Sequence, residues 1–193
     1  MQNIDEWERR YQQGKTGWDR GDVSPNLLYW IESQLLKPCR ILIPGCGNGH
    51  EVITLVEKGF DVVAVDIAET PLINLKKALD AKQLRAELVK SDFFACEFGV
   101  PFDAIYEQTS LCALHPDKWI TYETCLYKWL EPNGKLYAQF MQTGQEGGPP
   151  FHCGMRAMAD LFSAERWLWS EEHKTEVVLA GDLYEKMYLL AKA

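Results

Sequence analysis

The sequence predicts a doubly wound α/β domain on a seven-stranded, mostly parallel sheet with an antiparallel last strand. Three observations carry that expectation. Short apolar runs, suited to burial on both faces, alternate with stretches of helical period. A glycine turn joins the first run to the helix after it. Near the end, two strand-like runs arrive with no clear helix between them, which breaks the alternation and asks for an antiparallel strand.

The elements follow in order. Residues 1–24 are polar but carry Trp7, Tyr11 and Trp18. Leu27, Leu28 and Ile31 set a helical spacing up to Leu36, and Pro38 breaks it. Arg40–Pro44 reads as a short buried strand and Gly45-Cys46-Gly47-Asn48-Gly49 as the glycine turn. A helix through Lys58 follows, with Val52, Leu55 and Val56 inward and Gly59 as its stop. Val62–Asp66 is a second strand with an acid at its end. Thr70-Pro71 starts a helix to about Lys82, with a capping hydroxyl and then proline at the first helical position. Ala86–Lys90 is a third strand, and Ser91-Asp92 follows it. Phe102–Tyr106 is a fourth, ending in Glu107-Gln108. Pro116 opens a helix with Trp119, Tyr122, Leu126 and Trp129 on one face. Pro132-Asn133-Gly134 turns the chain into the strand Lys135–Met141. After a loop with Gly147-Gly148-Pro149-Pro150, the residues Met155, Met158, Leu161 and Phe162 suggest another helix. Strands near Arg166–Trp169 and Lys186–Lys192 complete the count.

Bulk properties narrow the function. A chain of 193 residues, 47% hydrophobic, suits a single globular domain spanning 1–193. The net charge of -8 lacks the Lys and Arg excess of a nucleic-acid binder and does not favour an anionic membrane surface. The six cysteines form no CxxC pair and show no zinc spacing with histidine, so no metal site is expected and a reducing cytoplasm fits best. The N-terminus has no apolar core for a signal peptide, and no stretch is long enough to span a bilayer.

The glycine turn selects a ligand class. A turn without side chains between strand and helix lets backbone approach a ligand, and such sheets bind ligands at strand carboxyl ends. Asp66 ends the second strand about 20 residues on, where an acid meets ribose hydroxyls. A dinucleotide pattern GxGxxG needs glycine at position 50, which is His50; the sequence reads GxGxG at Gly45, Gly47 and Gly49. S-adenosylmethionine has no pyrophosphate, so this loop need only clear a sugar and an amino-acid tail. Asp92, at the third strand end, stands where a carboxylate can meet an adenine amino group. Alone, each of these residues also suits an ordinary turn or strand end; at successive strand ends they point together to S-adenosylmethionine.

At these residues the chain resembles the thiopurine and thiol methyltransferase family, with the thiol and halide branch nearer. The resemblance runs through Trp7-Glu8-x-x-Tyr11, Thr16-Gly17-Trp18-Asp19, Leu42 to Glu51, Val65-Asp66-Ile67-Ala68, Asp92-Phe93, Cys112 to Pro116 and Gly147 to Phe151. It implies a Rossmann-like class I methyltransferase fold, an N-terminal lid over residues 1–24, and S-adenosylmethionine as cofactor. It also implies that Trp7, Tyr11 and Trp18 cover the cofactor and that Gly45, with Gly47 and Gly49, lines it. Asp66 would hold the ribose hydroxyls, Ile67 would belong to the cofactor site, Asp92 and Phe93 would meet the adenine, and Gln108 would lie beside the methionine tail or sulfonium. Tyr11 stands where related chains often carry Trp, and Gln108 where they carry Arg or Tyr. The residues themselves fit, because indole and phenol faces attract a sulfonium; the plainer alternative is that they dock the first helix.

Methyl transfer from a sulfonium is an in-line displacement with a neutral leaving group, so alignment and exclusion of water supply most of the rate. A thiol is partly ionised near neutrality and a protein base is optional; an alcohol or amine would need one. Glu107 and His152 are the candidate catalytic groups. His115 better suits a helix cap, Cys112 suits core packing, and Met155 and Met158 suit either core or an apolar pocket. The expected enzyme is a monomer acting on a small-molecule acceptor, a thiol or thiopurine. A halide, sulfide or metalloid acceptor, a nicotinamide-dependent oxidoreductase and a non-catalytic adenosyl-binding regulator are the alternatives.

Overall fold

Hydrophobic runs too short for helices decide where the sheet lies. In this computed structural model, residues 4–170, 176–180 and 183–193 are described. The chain forms two compact units, Met1–Glu97 and Phe98–Ala193.

The first unit holds helix α1 (Ile4–Gln12), α2 (Pro25–Glu32), strand β1 (Arg40–Pro44), α3 (His50–Glu57), β2 (Asp61–Asp66), α4 (Glu69–Ala81) and β3 (Glu87–Lys90). Its strands run parallel in the order β3-β2-β1. Ile41 and Leu42 have no exposed surface although they point to opposite faces, which is why β1 reads as continuously apolar. Each such side chain contributes about 1.5–3 kcal/mol of burial. On α3, Val52 and Leu55 are buried, whereas Val56 is only half-buried, against expectation.

Two helix boundaries also differ from the sequence reading, for local reasons. The spacing from Leu27 does not carry to Leu36. The backbone turns left-handed at Gln34, φ 62°, and the Leu35 and Leu36 N–H groups return to Trp30 O at 3.0 and 2.9 Å. Helix α4 begins before Thr70, so its hydroxyl is not the cap. Its first N–H groups are met by carboxylates instead: Ala68 N donates to Asp66 Oδ1 at 2.9 Å, and Glu69 N and Thr70 N donate to Glu8 Oε2 at 2.7 and 3.0 Å. Pro71 then falls within the first turn, where it is tolerated. A hydroxyl followed by proline does cap α2: Ser24 precedes Pro25, and its side chain accepts from Asn26 N at 3.3 Å.

The second unit holds β4 (Phe102–Gln108), α5 (Trp119–Trp129), β5 (Leu130–Gln142), α6 (Met155–Leu161), β6 (Trp167–Trp169), β7 (Glu176–Ala180) and β8 (Leu183–Lys192). Here the order is β4-β5-β8-β6, with β4 and β5 parallel and β8 antiparallel to β5. Among the described residues, seven strands thus give the expected mostly parallel pattern with an antiparallel last strand, and β7 pairs with β8 off that path. The sequence reading missed β7. It also took Pro132-Asn133-Gly134 as a turn before β5. The residues instead lie within β5 as an irregularity, with register passing from Phe102↔Leu130 to Ala104↔Lys135 and Asn133 at φ 64°. The face of α5 behaves as its spacing predicts, with Trp119, Tyr122, Leu126 and Trp129 all buried.

Gly49 shows how tightly the turn is packed. It sits at φ 74°, and a Cβ there would lie 2.5 Å from both Leu75 methyl carbons on α4. Gly49→Ala should therefore lower stability by about 2–4 kcal/mol, combining left-handed strain with overpacking. Urea denaturation measures it; an unchanged midpoint would refute this packing.

Candidate active site

The glycine turn of the first unit is built from backbone. Gly45, Gly47 and Gly49 all take left-handed conformations, at φ 63°, 53° and 74°. Cys46 N donates to Val65 O at 3.0 Å, so the turn is stitched to β2. Asp66 completes the cradle. Its Oδ2 accepts from Gly47 N at 2.9 Å while Oδ1 accepts from Ala68 N at 2.9 Å. Burial pushes this carboxyl above the ordinary aspartate range, opposed by the N–H groups of Ala68, Gly47 and Ile67. A carboxylate offers about four acceptor positions, so capacity for a ligand hydroxyl remains.

The N-terminal aromatics gather over this turn. Trp18 meets Trp7 and Tyr11 edge-on, with ring centroids 5.3 and 5.6 Å apart. The Tyr11 hydroxyl lies 2.9 Å from where a Cβ of Gly47 would stand. Burial, and then the Asp66 charge, push its phenol up. The cation already on the indoles is the chain's own Arg10, 5.2 Å from the Trp7 centroid and 6.0 Å from that of Trp18.

Two acids that the sequence reading gave no role hold this segment down. Glu8 accepts from Glu69 N, Thr70 N and the Thr70 hydroxyl. Asp19 accepts from Gly21 N at 2.7 Å and Asn48 Nδ2 at 2.5 Å, and lies 2.9 Å from His50 Nε2. Burial raises the Asp19 carboxyl, but these hydrogen bonds and the His50 charge outweigh it and hold the group below its ordinary range. The signal was present in the sequence: each acid neighbours a tryptophan in the quoted motifs Trp7-Glu8 and Trp18-Asp19. Ile67 is half-buried beside Asp66. Asp92 is exposed at the end of β3, its Oδ1 accepting from Phe94 N at 3.0 Å, and Phe93 is half-buried with its ring 4.9 Å from that of Phe94.

In the second unit, Gln108 is the half-exposed member of a buried polar chain. Gln139 Nε2 donates to the Tyr106 hydroxyl at 2.5 Å, which donates to Gln108 Oε1 at 2.7 Å, and Gln108 Nε2 donates to Glu185 Oε2 at 2.9 Å. Tyr106, Gln139 and Glu185 were missed as site residues, since only the pairing of β4, β5 and β8 brings them together.

Glu107 is 1% exposed. Its Oε1 accepts from Leu111 N at 2.7 Å, whereas its buried Oε2 has no hydrogen-bond partner among the described residues. Burial pushes its carboxyl up to about 7, although the N–H groups of Leu111 and Ser110 lower it in part. His152 is exposed; its Nδ1 accepts from Thr143 N at 3.0 Å and Gly144 N at 3.2 Å, which ties the loop after β5. His115 Nδ1 accepts from Asp117 N at 3.4 Å as a cap. Cys112 and Met158 are buried, and Met155 is half-buried. Among the described residues, no cluster of three or more His, Cys, Asp or Glu could hold a metal ion, and no helix is long and apolar enough to cross a membrane.

Two outcomes follow from these acids. Glu8→Ala should cost about 0.5–2 kcal/mol, as loss of a helix cap does; a thermal melt unchanged from wild type would remove Glu8 from that role. For Glu107, the unfolded chain ionises near 4.5 and the folded one near 7. Stability should therefore fall as pH rises between those values, by up to about 3 kcal/mol, and then level off. Glu107→Gln should lack this loss when stability is compared at pH 4.5 and 8.

The family model of thiopurine S-methyltransferase matches residues 2–186. Thiocyanate methyltransferase 1 of Brassica oleracea is 30% identical over 158 residues, covering 80% of this chain and 70% of the relative. Thiopurine S-methyltransferase of Legionella pneumophila (strain Corby) is 28% identical over 172 residues, covering 79% of this chain and 77% of the relative. Among solved structures, 1,6-didemethyltoxoflavin-N1-methyltransferase of Burkholderia thailandensis, crystallised with S-adenosylhomocysteine, superposes with a TM-score of 0.80 at 20% identity, over 98% of this chain and 87% of that one. The magnesium protoporphyrin IX methyltransferase of Synechocystis PCC 6803, crystallised with S-adenosylmethionine, does so with 0.75 at 10% identity, over 100% and 98%. The chain belongs to the thiopurine S-methyltransferase family.

Proposed function

We infer that this enzyme transfers a methyl group from S-adenosylmethionine to a small soft nucleophile, a thiol or thiopurine. The observation that carries the reading is Asp66, whose carboxylate sits on the Gly47 N–H beneath the aromatic cluster. A left-handed glycine turn beside a buried carboxylate fits an adenosyl group: backbone can approach the sugar while the acid takes its hydroxyls. S-adenosylmethionine supplies an electrophilic methyl group on a sulfonium.

The chain's own residues hold, orient and cover. Gly45, Gly47, Gly49 and Ile67 line the cofactor, Asp66 holds its ribose hydroxyls, and Asp92 and Phe93 meet its adenine. Trp7, Tyr11 and Trp18 close over it as part of a lid formed by residues 1–24, and Gln108 stands beside the methionine tail or sulfonium. The whole chain works as one methyltransferase domain, monomeric and cytoplasmic, on a small-molecule acceptor. Glu107 and His152 are the groups available for proton transfer. His152 commits Nδ1 to two loop N–H groups, which leaves its other ring nitrogen for any contact with the acceptor.

Calorimetry tests the reading. S-adenosylhomocysteine should bind at micromolar order, and Asp66→Ala should weaken it by about 1–3 kcal/mol, five- to 150-fold, through the lost charged hydrogen bonds. Absence of binding by wild-type protein would end the assignment.

A further inference from the structure

Among the described residues, no donor meets one buried carboxylate oxygen of Glu107 in the second unit, although an ionised group there normally finds a donor for each oxygen. One oxygen is occupied by Leu111 N, so the side chain is held in place rather than loose. The groups within electrostatic reach are Tyr122 of α5, Cys112 of the turn after β4 and Cys153 of the loop after β5. The two thiols also feel Glu185. The loop is laid onto that turn through Phe151 N, which donates to Cys112 O at 2.7 Å. Burial pushes Tyr122, Cys112 and Cys153 upward, so they stay neutral while Glu107 titrates near 7.

We propose that the free oxygen of Glu107 takes the proton of a neutral acceptor thiol that enters beneath the 147–153 loop. This rests on the reading of the chain as a thiol methyltransferase. The S–H bond breaks, its proton passes to Oε2 and its electron pair stays on sulfur. That pair forms the new S–CH3 bond as the sulfonium C–S bond breaks and its pair returns to the donor's sulfur. Glu107 then gives the proton to water. A base whose ionisation lies near the working pH is matched to this task.

The test compares 2-mercaptoethanol, protonated near neutrality, with 4-nitrothiophenol, already a thiolate. For wild type, kcat/KM on mercaptoethanol should rise with pH and level off just above 7, well before the thiol's own ionisation. Glu107→Gln keeps the shape and the acceptor for Leu111 N. It should lose about 100-fold or more on mercaptoethanol and less than about threefold on nitrothiophenol. Equal losses on both thiols, or none, overturn the proposal. If the variant fails to fold, the wild-type profile decides alone: an unbroken climb towards the thiol's own ionisation overturns it. Infrared titration of the ligand-free protein gives an independent readout. A protonated-carboxyl band should vanish as pH passes about 7, and its absence at pH 6 overturns the proposal. S-adenosylhomocysteine binding and nitrothiophenol turnover stay intact if only Glu107 is misassigned, and are lost if the methyltransferase reading is wrong.

Discussion

The first unit depends on one carboxylate reaching two backbone amides. Asp66 accepts from Gly47 N on one side and Ala68 N on the other, so a single side chain sets both the glycine turn and the entry to α4. Each charged hydrogen bond of this kind contributes about 1.5–3 kcal/mol, enough to offset part of the cost of burying the charge. The segments packed nearby inherit its geometry. Tyr11 rests on Gly47 only because that residue carries no side chain, and Glu8 finds amides to accept only because α4 starts where Asp66 begins it.

The same solution recurs among the interior acids. Glu51 accepts from Ser24 N at 2.9 Å and Glu107 from Leu111 N at 2.7 Å. Glu123 departs from it, taking Trp167 Nε1 at 2.6 Å and Arg166 Nη1 at 3.1 Å. Amides stabilise a carboxylate without a second charge to desolvate. The consequence differs with the number of amides. Asp66 has them on both oxygens, whereas Glu107 is left half-satisfied, and the latter is the more easily protonated form.

Much of this was legible in the residues. The strand Arg40–Pro44 and the buried face of α5 follow from apolar period alone. The cradle followed from glycine spacing and an acid at a strand end, because both are local in sequence. The boundary of α4 was not legible, since its cap comes from Glu8, 61 positions before Glu69. Strand β7 and the irregularity in β5 depend on pairing with neighbouring strands, which sequence period does not record. Glu185 was invisible for the same reason: nothing near it in the chain marks a buried acid beside Gln108.

That last contact has a consequence for what a ligand meets. Glu185 Oε2 accepts from Gln108 Nε2, so the amide turns its nitrogen inward. The amide oxygen then faces the Tyr106 hydroxyl, which donates to it and accepts in turn from Gln139 Nε2. The polarity shown at the tip of β4 is thus written from β8, a strand that does not touch it in the pairing order and joins the chain 77 residues later.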